Sequence, residues 1–201
     1  MSSELKKRII TSIFLLILLI LMFFFTYILI ISLIIITVIS WIEFYALISK
    51  IYKKKTKKNK IYRFIYKTIS LIYLSILVYC ILIAKLTNTD MEIFIVFSIL
   101  ISVMSDIGGL IIGQIFKGKK LTIISPKKTI SGSIGSFIFS IFLIPFFIQH
   151  LPNMTLVSLF FITLVISFVS QIGDLFISYL KRSANVKNTS DLLPGHGGVL
   201  D

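Results

Sequence analysis

Residues 9–42 read IITSIFLLILLILMFFFTYILIISLIIITVISWI and contain no charged side chain. A helix of about 20 apolar residues crosses the roughly 30 Å hydrocarbon core of a bilayer. One helix over the whole run would overshoot that core, so the run predicts two membrane-spanning helices, near residues 9–25 and 28–48, with a turn near Thr26–Tyr27. Because the aromatic run Phe23–Phe25 does not resemble a small-residue cleavage site, we expect the first span to stay in the mature protein.

The composition of the chain excludes most classes of soluble protein. Hydrophobic residues make up 57% of the chain and charged residues 14%, whereas soluble domains average about 45–50% and about 25%. The net charge of +13 would suggest nucleic-acid binding in a soluble protein, but in a membrane protein it is typical of basic cytoplasmic loops. We therefore predict an all-α, polytopic membrane protein that binds no nucleic acid. Its single cysteine, Cys80, excludes an intrachain disulfide.

The remaining apolar runs predict four more spans. They lie near residues 68–84, 92–116, 129–149 and 154–180, and a polar segment, 181–201, follows them. With the N-terminus in the cytoplasm and the spans alternating, all of the 21 Lys and Arg residues except Lys85 fall on the cytoplasmic side. The positive-inside rule therefore predicts one membrane-embedded domain of six spans in the cytoplasmic (inner) membrane, with both termini in the cytoplasm. The loop near Asn88–Met91 is then expected outside.

The longest basic run, residues 50–60, lies in one of these predicted cytoplasmic loops. We interpret it first as an anchor for topology. A basic loop beside an anionic leaflet also attracts lipid headgroups, so the two roles are compatible.

Three carboxylates fall inside or at the edge of predicted spans, each toward the cytoplasmic half: Glu43, Asp106 and Asp174. Because an intramembrane carboxylate is costly, each one is a functional candidate. A shared, water-accessible cavity on the cytoplasmic side would explain their positions. The structural alternative is a set of isolated carboxylates, protonated or paired with lysines. The sequence favours function for the two aspartates and does not decide for Glu43.

Small residues surround Asp106 in the sequence. Both Gly109-Leu-Ile-Ile-Gly113 and Ser131-Gly-Ser-Ile-Gly135 are typical of closely packed helices. Such packing would bring Asp106 close to the loop Ser125-Pro-Lys-Lys-Thr129. The loop precedes a predicted helix N-terminus, which makes it a candidate phosphate site. Its candidate ligands are Ser125, Lys127, Lys128 and Thr129.

The C-terminal segment holds the most informative pattern. Gly195-His-Gly-Gly198 follows Pro194 and can form a backbone nest for an anion. Around it lie the basic residues Lys181, Arg182 and Lys187 and the carboxylates Asp174 and Asp201. Basic residues, paired aspartates and a glycine-rich turn together predict metal-assisted phosphoryl or nucleotidyl transfer.

These residues resemble the signature of a known family. The C-terminal motif has three parts: Gly173-Asp174, Ser178-x-Leu-Lys181-Arg182-x4-Lys187 and Leu193-Pro-x-His196-Gly-Gly-x-x-Asp201. The upstream motif also has three parts: Asp106-x-x-Gly109-x-x-x-Gly113, Leu121 and Ser125-Pro-Lys-Lys-Thr129-x-x-Gly132. In order and spacing they resemble the phosphatidate cytidylyltransferase (CDP-diacylglycerol synthase) family. The chain differs from that family at Asn188, where Asp is usual, and at Ser131, where Glu is frequent. Since family members continue beyond the aspartate matched by Asp201, the sequence resembles a truncated member.

The resemblance implies that CTP and phosphatidate react to give CDP-diacylglycerol and pyrophosphate, a step of phospholipid biosynthesis at the cytoplasmic membrane face. Mg²⁺ or another divalent cation would be the cofactor, and membrane lipids would be partners. It implies Asp174 and Asp201 as metal ligands, with Lys181 and Arg182 as further catalytic residues. The implied substrate-binding residues are Ser125, Lys127, Lys128, Thr129, Lys187, His196, Gly197, Gly198 and Asp106. A homodimer is left open.

Three other functions remain open on the sequence. A related CTP-dependent lipid or polyprenol kinase would release CDP in place of pyrophosphate. A small ion transporter would need Asp106 and Asp174 to be accessible from both sides of the membrane. An inactive fragment would keep the fold without turnover.

Overall fold

The computed structural model describes residues 3–54, 56–87, 89–122, 125–126 and 128–201. The predicted loop residue Asn88 and the predicted phosphate-binding residue Lys127 lie outside these ranges. The described residues form seven helices. They are α1 (Ser3–Phe24), α2 (Thr26–Ile51), α3 (Lys57–Thr87), α4 (Thr89–Phe116), α5 (Ile130–Ile141), α6 (Ile144–Phe147) and α7 (Leu156–Ser183).

Six helical segments are long and apolar enough to cross a membrane, which confirms the predicted fold class. They are Lys6–Phe24, Thr26–Ile51, Lys57–Thr87, Met91–Phe116, Ile130–Phe147 and Leu156–Ser183. Large apolar side chains such as Phe14, Phe64 and Phe161 are exposed along them, as expected of surfaces that contact lipid. Because helices satisfy their own backbone hydrogen bonds, this architecture suits a polytopic integral membrane protein.

The first apolar run is divided at Phe25, one residue before the predicted turn. Phe25 has an extended backbone, with φ −119° and ψ 106°. Its N–H still donates to the carbonyl of Leu21 at 2.9 Å, and its own carbonyl accepts from the N–H of Leu29 at 3.0 Å. The break therefore interrupts the helix for a single residue and loses few hydrogen bonds, so it needs neither Gly nor Pro.

The third helix is longer than the predicted span. It begins at Lys57, whereas the hydrophobic pattern predicted a span from Thr68. Lysine is a good helix former, and no Gly or Pro interrupts residues 57–67. The helix therefore starts within the basic segment, before the apolar part begins.

The fifth span is interrupted rather than continuous. Helix α5 ends at Ile141 and α6 begins at Ile144, with Pro145 in the first turn of α6. Because proline has no N–H, it cannot donate to the carbonyl of Ile141, and the helical ladder is interrupted there.

The chain folds as two compact units. The first comprises Met1–Ile83 and Leu180–Asp201, and the second comprises Ala84–Tyr179. In the first unit, Leu29, Leu33, Leu47 and Ile48 are the buried apolar residues of α2. The polar C-terminal segment belongs to this unit and contacts α1 and α2.

The second unit has an apolar core and a tight helix contact. The core consists of Phe97, Ile101, Ile144, Leu151 and Leu159. Beside it, α4 and α5 approach through their glycines. A Cβ added at Gly108 would lie 2.5 Å from the carbonyl oxygen of Gly135, and one added at Gly132 would lie 2.7 Å from that of Gly109. The predicted close packing of these two helices is therefore confirmed.

Candidate active site

A charged cluster forms in the second unit where three candidate residues meet. The ammonium of Lys128 makes an ion pair with the carboxylate of Asp174. The carboxylate of Asp106 interacts electrostatically with both of these groups. We call Asp106, Lys128 and Asp174 the carboxylate cluster. It joins α4, the loop before α5, and α7, although these residues are far apart in the sequence.

The glycine contact between α4 and α5 sets the position of this cluster. Asp106 lies on α4, less than one turn before Gly108, and Lys128 lies two residues before the start of α5. A larger residue at the contact would separate the two helices. The small-residue pattern therefore serves the site by allowing an α4 carboxylate to approach the α5 loop, as the sequence predicted.

The loop between α4 and α5 is held by its own backbone. Leu121 donates its N–H to the carbonyl of Lys128 at 2.8 Å, and Ile130 donates to the carbonyl of Lys119 at 2.9 Å. Lys117 begins the loop with a φ of 42°. These contacts fix the backbone of Lys128, so that its side chain starts from a defined position beside α7.

Thr129 has a structural role at the start of α5. Its hydroxyl oxygen accepts a hydrogen bond from the N–H of Gly132 at 3.0 Å, which is an N-cap. The hydroxyl of Ser131 lies 3.0 Å from it and also accepts from the N–H of Gly118 at 3.3 Å. Ser125, earlier in the loop, accepts the N–H of Lys128 on its carbonyl at 3.0 Å. The predicted phosphate-binding role of Ser125 and Thr129 stays a prediction beside these contacts.

A buried polar chain fixes α7 against α4 and α5. Ser133 donates to the side-chain oxygen of Gln171 at 2.6 Å. One turn earlier on α7, the hydroxyl of Ser167 lies 3.0 Å from that of Ser105. Gln171 is one turn before Asp174, so the same rotation of α7 directs Asp174 toward the loop. Ser105 and Ser167 carried no signal in the sequence, because isolated Ser residues are common in membrane helices, whereas Ser133 belongs to the small-residue motif 131–135.

The second group of candidate residues lies in the first unit, around Asp201. The Asp201 side chain is 6% exposed and accepts from Lys181 Nζ at 2.7 Å on Oδ1. Its Oδ2 accepts from the N–H of Thr189 at 2.7 Å and the N–H of Gly198 at 2.8 Å. Burial acts to raise the pKa of Asp201, but the hydrogen bonds from Lys181, Gly198 and Thr189 outweigh it and lower that pKa below its usual value. Asp201 is therefore ionised at neutral pH.

A buried carboxylate of α2 holds the same segment from the other side. Glu43 accepts from the hydroxyls of Thr189 at 2.8 Å and Ser190 at 2.6 Å. It also accepts the N–H groups of Val199 at 3.1 Å and Leu200 at 2.9 Å. The sequence singled out Glu43 but not its partners. Thr189 and Ser190 lie in an ordinary polar stretch, and nothing in their spacing indicates a contact with α2.

The glycine-rich turn rests against α1. The hydroxyl of Thr11 donates to the carbonyl of Pro194 at 2.8 Å, and Ser12 Oγ lies 3.4 Å from the Nε2 atom of His196. Gly195 has a φ of 82°, and a Cβ there would lie 2.8 Å from the side chain of Arg8. His196 itself is exposed. The predicted substrate-binding role of His196, Gly197 and Gly198 stays a prediction beside these contacts.

The two groups of candidate residues belong to different units. Asp106, Lys128 and Asp174 are in the second unit, and Lys181, Arg182, Lys187, His196, Gly197, Gly198 and Asp201 are in the first. The predicted approach of Asp174 and Asp201 around one cation therefore stays a prediction. Arg182 and Lys187 have exposed side chains, as residues that bind a phosphate need.

The residues present fit a magnesium ion that keeps water and phosphate ligands. Within the described ranges, no group of three or more His, Cys, Asp and Glu side chains comes together to hold a metal. Magnesium is usually bound by one or two carboxylates together with substrate phosphates. Asp174 has a 47% exposed side chain, and Asp201 has one oxygen that accepts a single hydrogen bond. Each of these carboxylates, taken within its own unit, suits such a ligand set better than an all-protein cage.

Comparison with known proteins places the chain in a family. The model of the cytidylyltransferase family matches residues 1–201. The phosphatidate cytidylyltransferase of Rickettsia felis is 37% identical over 155 residues, which cover 70% of this chain and 67% of that protein. That of Rickettsia prowazekii is 38% identical over 154 residues, with the same coverage. That of Staphylococcus haemolyticus is 38% identical over 120 residues, which cover 57% of this chain and 45% of that protein. No solved structure gives a significant match. The match over every residue shows that the chain belongs to the cytidylyltransferase family.

Proposed function

We propose that this chain transfers CMP from CTP to phosphatidate, giving CDP-diacylglycerol and pyrophosphate. A phosphate oxygen of phosphatidate attacks the α-phosphorus of CTP, the bond from that phosphorus to the oxygen bridging to the β-phosphorus breaks, and pyrophosphate leaves. Family membership and the names of the relatives support the reaction. The single observation in the fold that carries it is the carboxylate cluster, because it joins a loop lysine to two carboxylates of apolar helices.

The charges of the cluster suit a reaction between anions. Both substrates carry phosphates, and a protein with a net charge of +13 attracts them to its basic face. Lys128 is close to Asp174 and can instead bind a phosphate oxygen when the carboxylate has another positive partner. Lys127, Lys181, Arg182 and Lys187 are the other proposed phosphate ligands. The hydroxyls of Ser125 and Thr129 and the backbone of the glycine-rich turn would contribute donors without adding charge.

Asp174 and Asp201 are the residues that would hold a magnesium ion or another divalent cation, with Asp106 beside Asp174. Such an ion neutralises charge on the phosphates of CTP. The chain itself must keep these carboxylates ionised and correctly oriented. Lys181 and the N–H groups of Thr189 and Gly198 do this for Asp201, and Lys128 does it for Asp174.

We also propose that the site faces the cytoplasm from the cytoplasmic membrane, with both termini inside. The distribution of basic residues supports this orientation, since all except Lys85 fall in segments that alternate to one side. CTP reaches the site from the cytoplasm in this arrangement, and phosphatidate reaches it from the membrane.

The function is tested with membranes that contain the chain, phosphatidate and CTP labelled in the α-phosphate. We expect label in CDP-diacylglycerol, with release of one pyrophosphate for each lipid product. Release of CDP and phosphorylation of the lipid acceptor would instead support a CTP-dependent lipid kinase. The absence of any CTP-dependent product from membranes that contain the protein would contradict the proposed function.

A further inference from the structure

Glu43 is a charged group in an apolar helix, and its side chain does not reach the surface. It lies on α2 among membrane-spanning residues and is 3% exposed. A carboxylate in such a position costs free energy unless its oxygens are well hydrogen-bonded. The hydrogen bonds that the Glu43 carboxylate accepts therefore have to compensate that cost.

Among the described residues, four hydrogen bonds reach the Glu43 side chain, and all of them come from the C-terminal segment, residues 184–201. The Oε1 atom accepts from Ser190 Oγ at 2.6 Å and the N–H of Val199 at 3.1 Å. The Oε2 atom accepts from Thr189 Oγ1 at 2.8 Å and the N–H of Leu200 at 2.9 Å. Each oxygen thus accepts one hydroxyl and one backbone N–H. A glutamine would always direct its NH₂ group at one backbone N–H, so this environment selects a carboxylate.

These contacts lie next to the groups that hold Asp201. Thr189 Oγ1 is 2.8 Å from Glu43 Oε2 and 2.9 Å from Asp201 Oδ2. The Leu200 N–H that donates to Glu43 belongs to the residue before Asp201. A Cβ added to Gly198 would lie 2.5 Å from Glu43 Oε1, so the backbone that donates to Asp201 packs directly against Glu43. One side chain of α2 therefore binds the hydroxyls of Thr189 and Ser190 before the glycine-rich turn and the backbone of residues 199–200 after it.

We propose that Glu43 is a positioning residue, which folds the C-terminal segment over α2 and thereby orients Asp201 for the reaction. The inference rests on the proposed function for its effect on catalysis. Glu43 acts through Thr189 and the backbone of residues 198–200 and does not itself bind substrate. Residues that orient a metal ligand typically change metal affinity or activity by about 10–100-fold when they are replaced.

The test compares Glu43→Gln with Glu43→Asp, and uses Ser40→Ala as the matched control. Ser40 is also buried on α2, at 5% exposed, about one turn before Glu43. In membranes, we expect Glu43→Gln to raise the Mg²⁺ concentration for half-maximal CDP-diacylglycerol formation by about 10-fold or more. Glu43→Asp, which keeps the charge, should recover part of that change, and Ser40→Ala should match the wild type. If Glu43 contributed only to general stability, restoring the negative charge in Glu43→Asp would not be expected to recover the Mg²⁺ dependence.

A second measurement is independent of activity. Trypsin added to membranes with the cytoplasmic face exposed should cleave after Lys187 faster in Glu43→Gln than in the wild type, because the segment is released from α2. The peptide 188–201 is then measured by mass spectrometry. If wild-type membranes form no CDP-diacylglycerol, the proposed function fails, whereas equal cleavage in the two proteins contradicts the role of Glu43 in folding the segment.

A milder variant tests the same proposal if Glu43→Gln is poorly expressed. Ser190→Ala removes one donor to Glu43 and leaves the hydrogen bonds to Asp201 in place. We expect it to raise the half-maximal Mg²⁺ concentration a few-fold. An unchanged Mg²⁺ dependence in Ser190→Ala, or a Glu43→Gln protein with the Mg²⁺ dependence of Ser40→Ala, would overturn the proposal.

Discussion

Lys128 and Asp174 form an ion pair that joins the loop before α5 to α7. The first residue is a predicted phosphate ligand and the second a predicted metal ligand, so their charges compensate each other in the fold. A carboxylate of an apolar helix costs less when it is paired with a lysine of the neighbouring loop than when it is alone. In the proposed reaction, the lysine would turn to the phosphates of CTP and the carboxylate to a cation, and neither charge would be left uncompensated.

Asp174→Asn should abolish CDP-diacylglycerol formation and leave membrane insertion intact. Asparagine keeps the shape but removes the negative charge, so the site loses a ligand for a divalent cation. We expect at least a 100-fold loss of CTP-dependent product, because replacing a residue that merely orients a ligand already costs about 10–100-fold. The measurement is lipid product from radiolabelled CTP, normalised to the amount of protein in the membrane.

Asp191→Asn is the control for that variant. Asp191 is exposed in the C-terminal segment and is not one of the residues that the motif specifies, so its replacement should leave activity near that of the wild type. Turnover in Asp174→Asn equal to that of Asp191→Asn at ordinary Mg²⁺ would remove Asp174 from the mechanism.

Leucine substitutions at three glycines should damage the second unit in a fixed order. A Cβ at Gly135 would lie 2.4 Å from the Cβ of Ile112 and 2.7 Å from the carbonyl oxygen of Gly108, whereas the nearest atom at Gly113 is a hydroxyl at 3.0 Å. At Gly173 an added Cβ meets no atom within 4 Å apart from the adjacent backbone of its own helix. Overpacking typically costs about 1–3 kcal/mol, so Gly135→Leu should be the least stable and Gly113→Leu intermediate.

Gly173→Leu is the matched control in this series. Unfolding in detergent, followed by helical circular dichroism, should place it near the wild type. If Gly135→Leu unfolded at the same denaturant concentration as Gly173→Leu, the close contact of α4 and α5 would be refuted.

The fold was predictable because the hydrophobic runs are long and uninterrupted. The run 9–42 has no charge and exceeds one bilayer crossing, so two helices were required, and the break is at Phe25. The start of α3 was not predictable from hydrophobicity. Lys57–Lys67 is polar but helical, and helix propensity there is independent of the membrane boundary. The interruption of the helix before Pro145 follows from the missing N–H, which hydropathy does not detect.

The candidate site was predictable where a charge lay in an apolar helix or a motif fixed the spacing. Asp106, Asp174 and Glu43 stood out because membrane carboxylates are rare. Thr189 and Ser190 did not stand out, since their role depends on a contact with α2 across more than half of the chain. The role of Thr129 as the N-cap of α5 was also not predicted. A hydroxyl before a helix can satisfy backbone N–H groups or a phosphate, and the sequence does not distinguish them.

Cysteine labelling should confirm the predicted orientation. In a Cys80→Ser background, a cysteine at Asn153, in the turn before α7, should react with an impermeant thiol reagent added outside the cell. A cysteine at Asn59, in the basic segment, should react only after the membrane is permeabilised. The physical basis is the concentration of Lys and Arg on one side. The reverse labelling pattern would invert the orientation and with it the cytoplasmic position of the site.

Gly198→Ala should inactivate the protein without disturbing its helices. A Cβ at this position would lie 2.0 Å from Thr189 Oγ1 and 2.5 Å from Glu43 Oε1. A hydroxyl and a carboxylate that are already hydrogen-bonded cannot both yield, so the backbone at Gly198 must move and its N–H must leave Asp201. We expect a loss of CDP-diacylglycerol formation of at least 10-fold, on the scale of other changes that misorient a ligand.

Leu192→Ala provides the comparison for Gly198→Ala, because Leu192 is 56% exposed in the same segment. It should keep near-wild-type activity and a wild-type rate of tryptic cleavage after Lys187, whereas Gly198→Ala should be cleaved faster. Helical circular dichroism should be the same in both variants, since the added methyl group contacts no helix backbone. Gly198→Ala with wild-type turnover would show that the segment tolerates a shift at Asp201, and Asp201 would then have no demanding geometric role in the reaction.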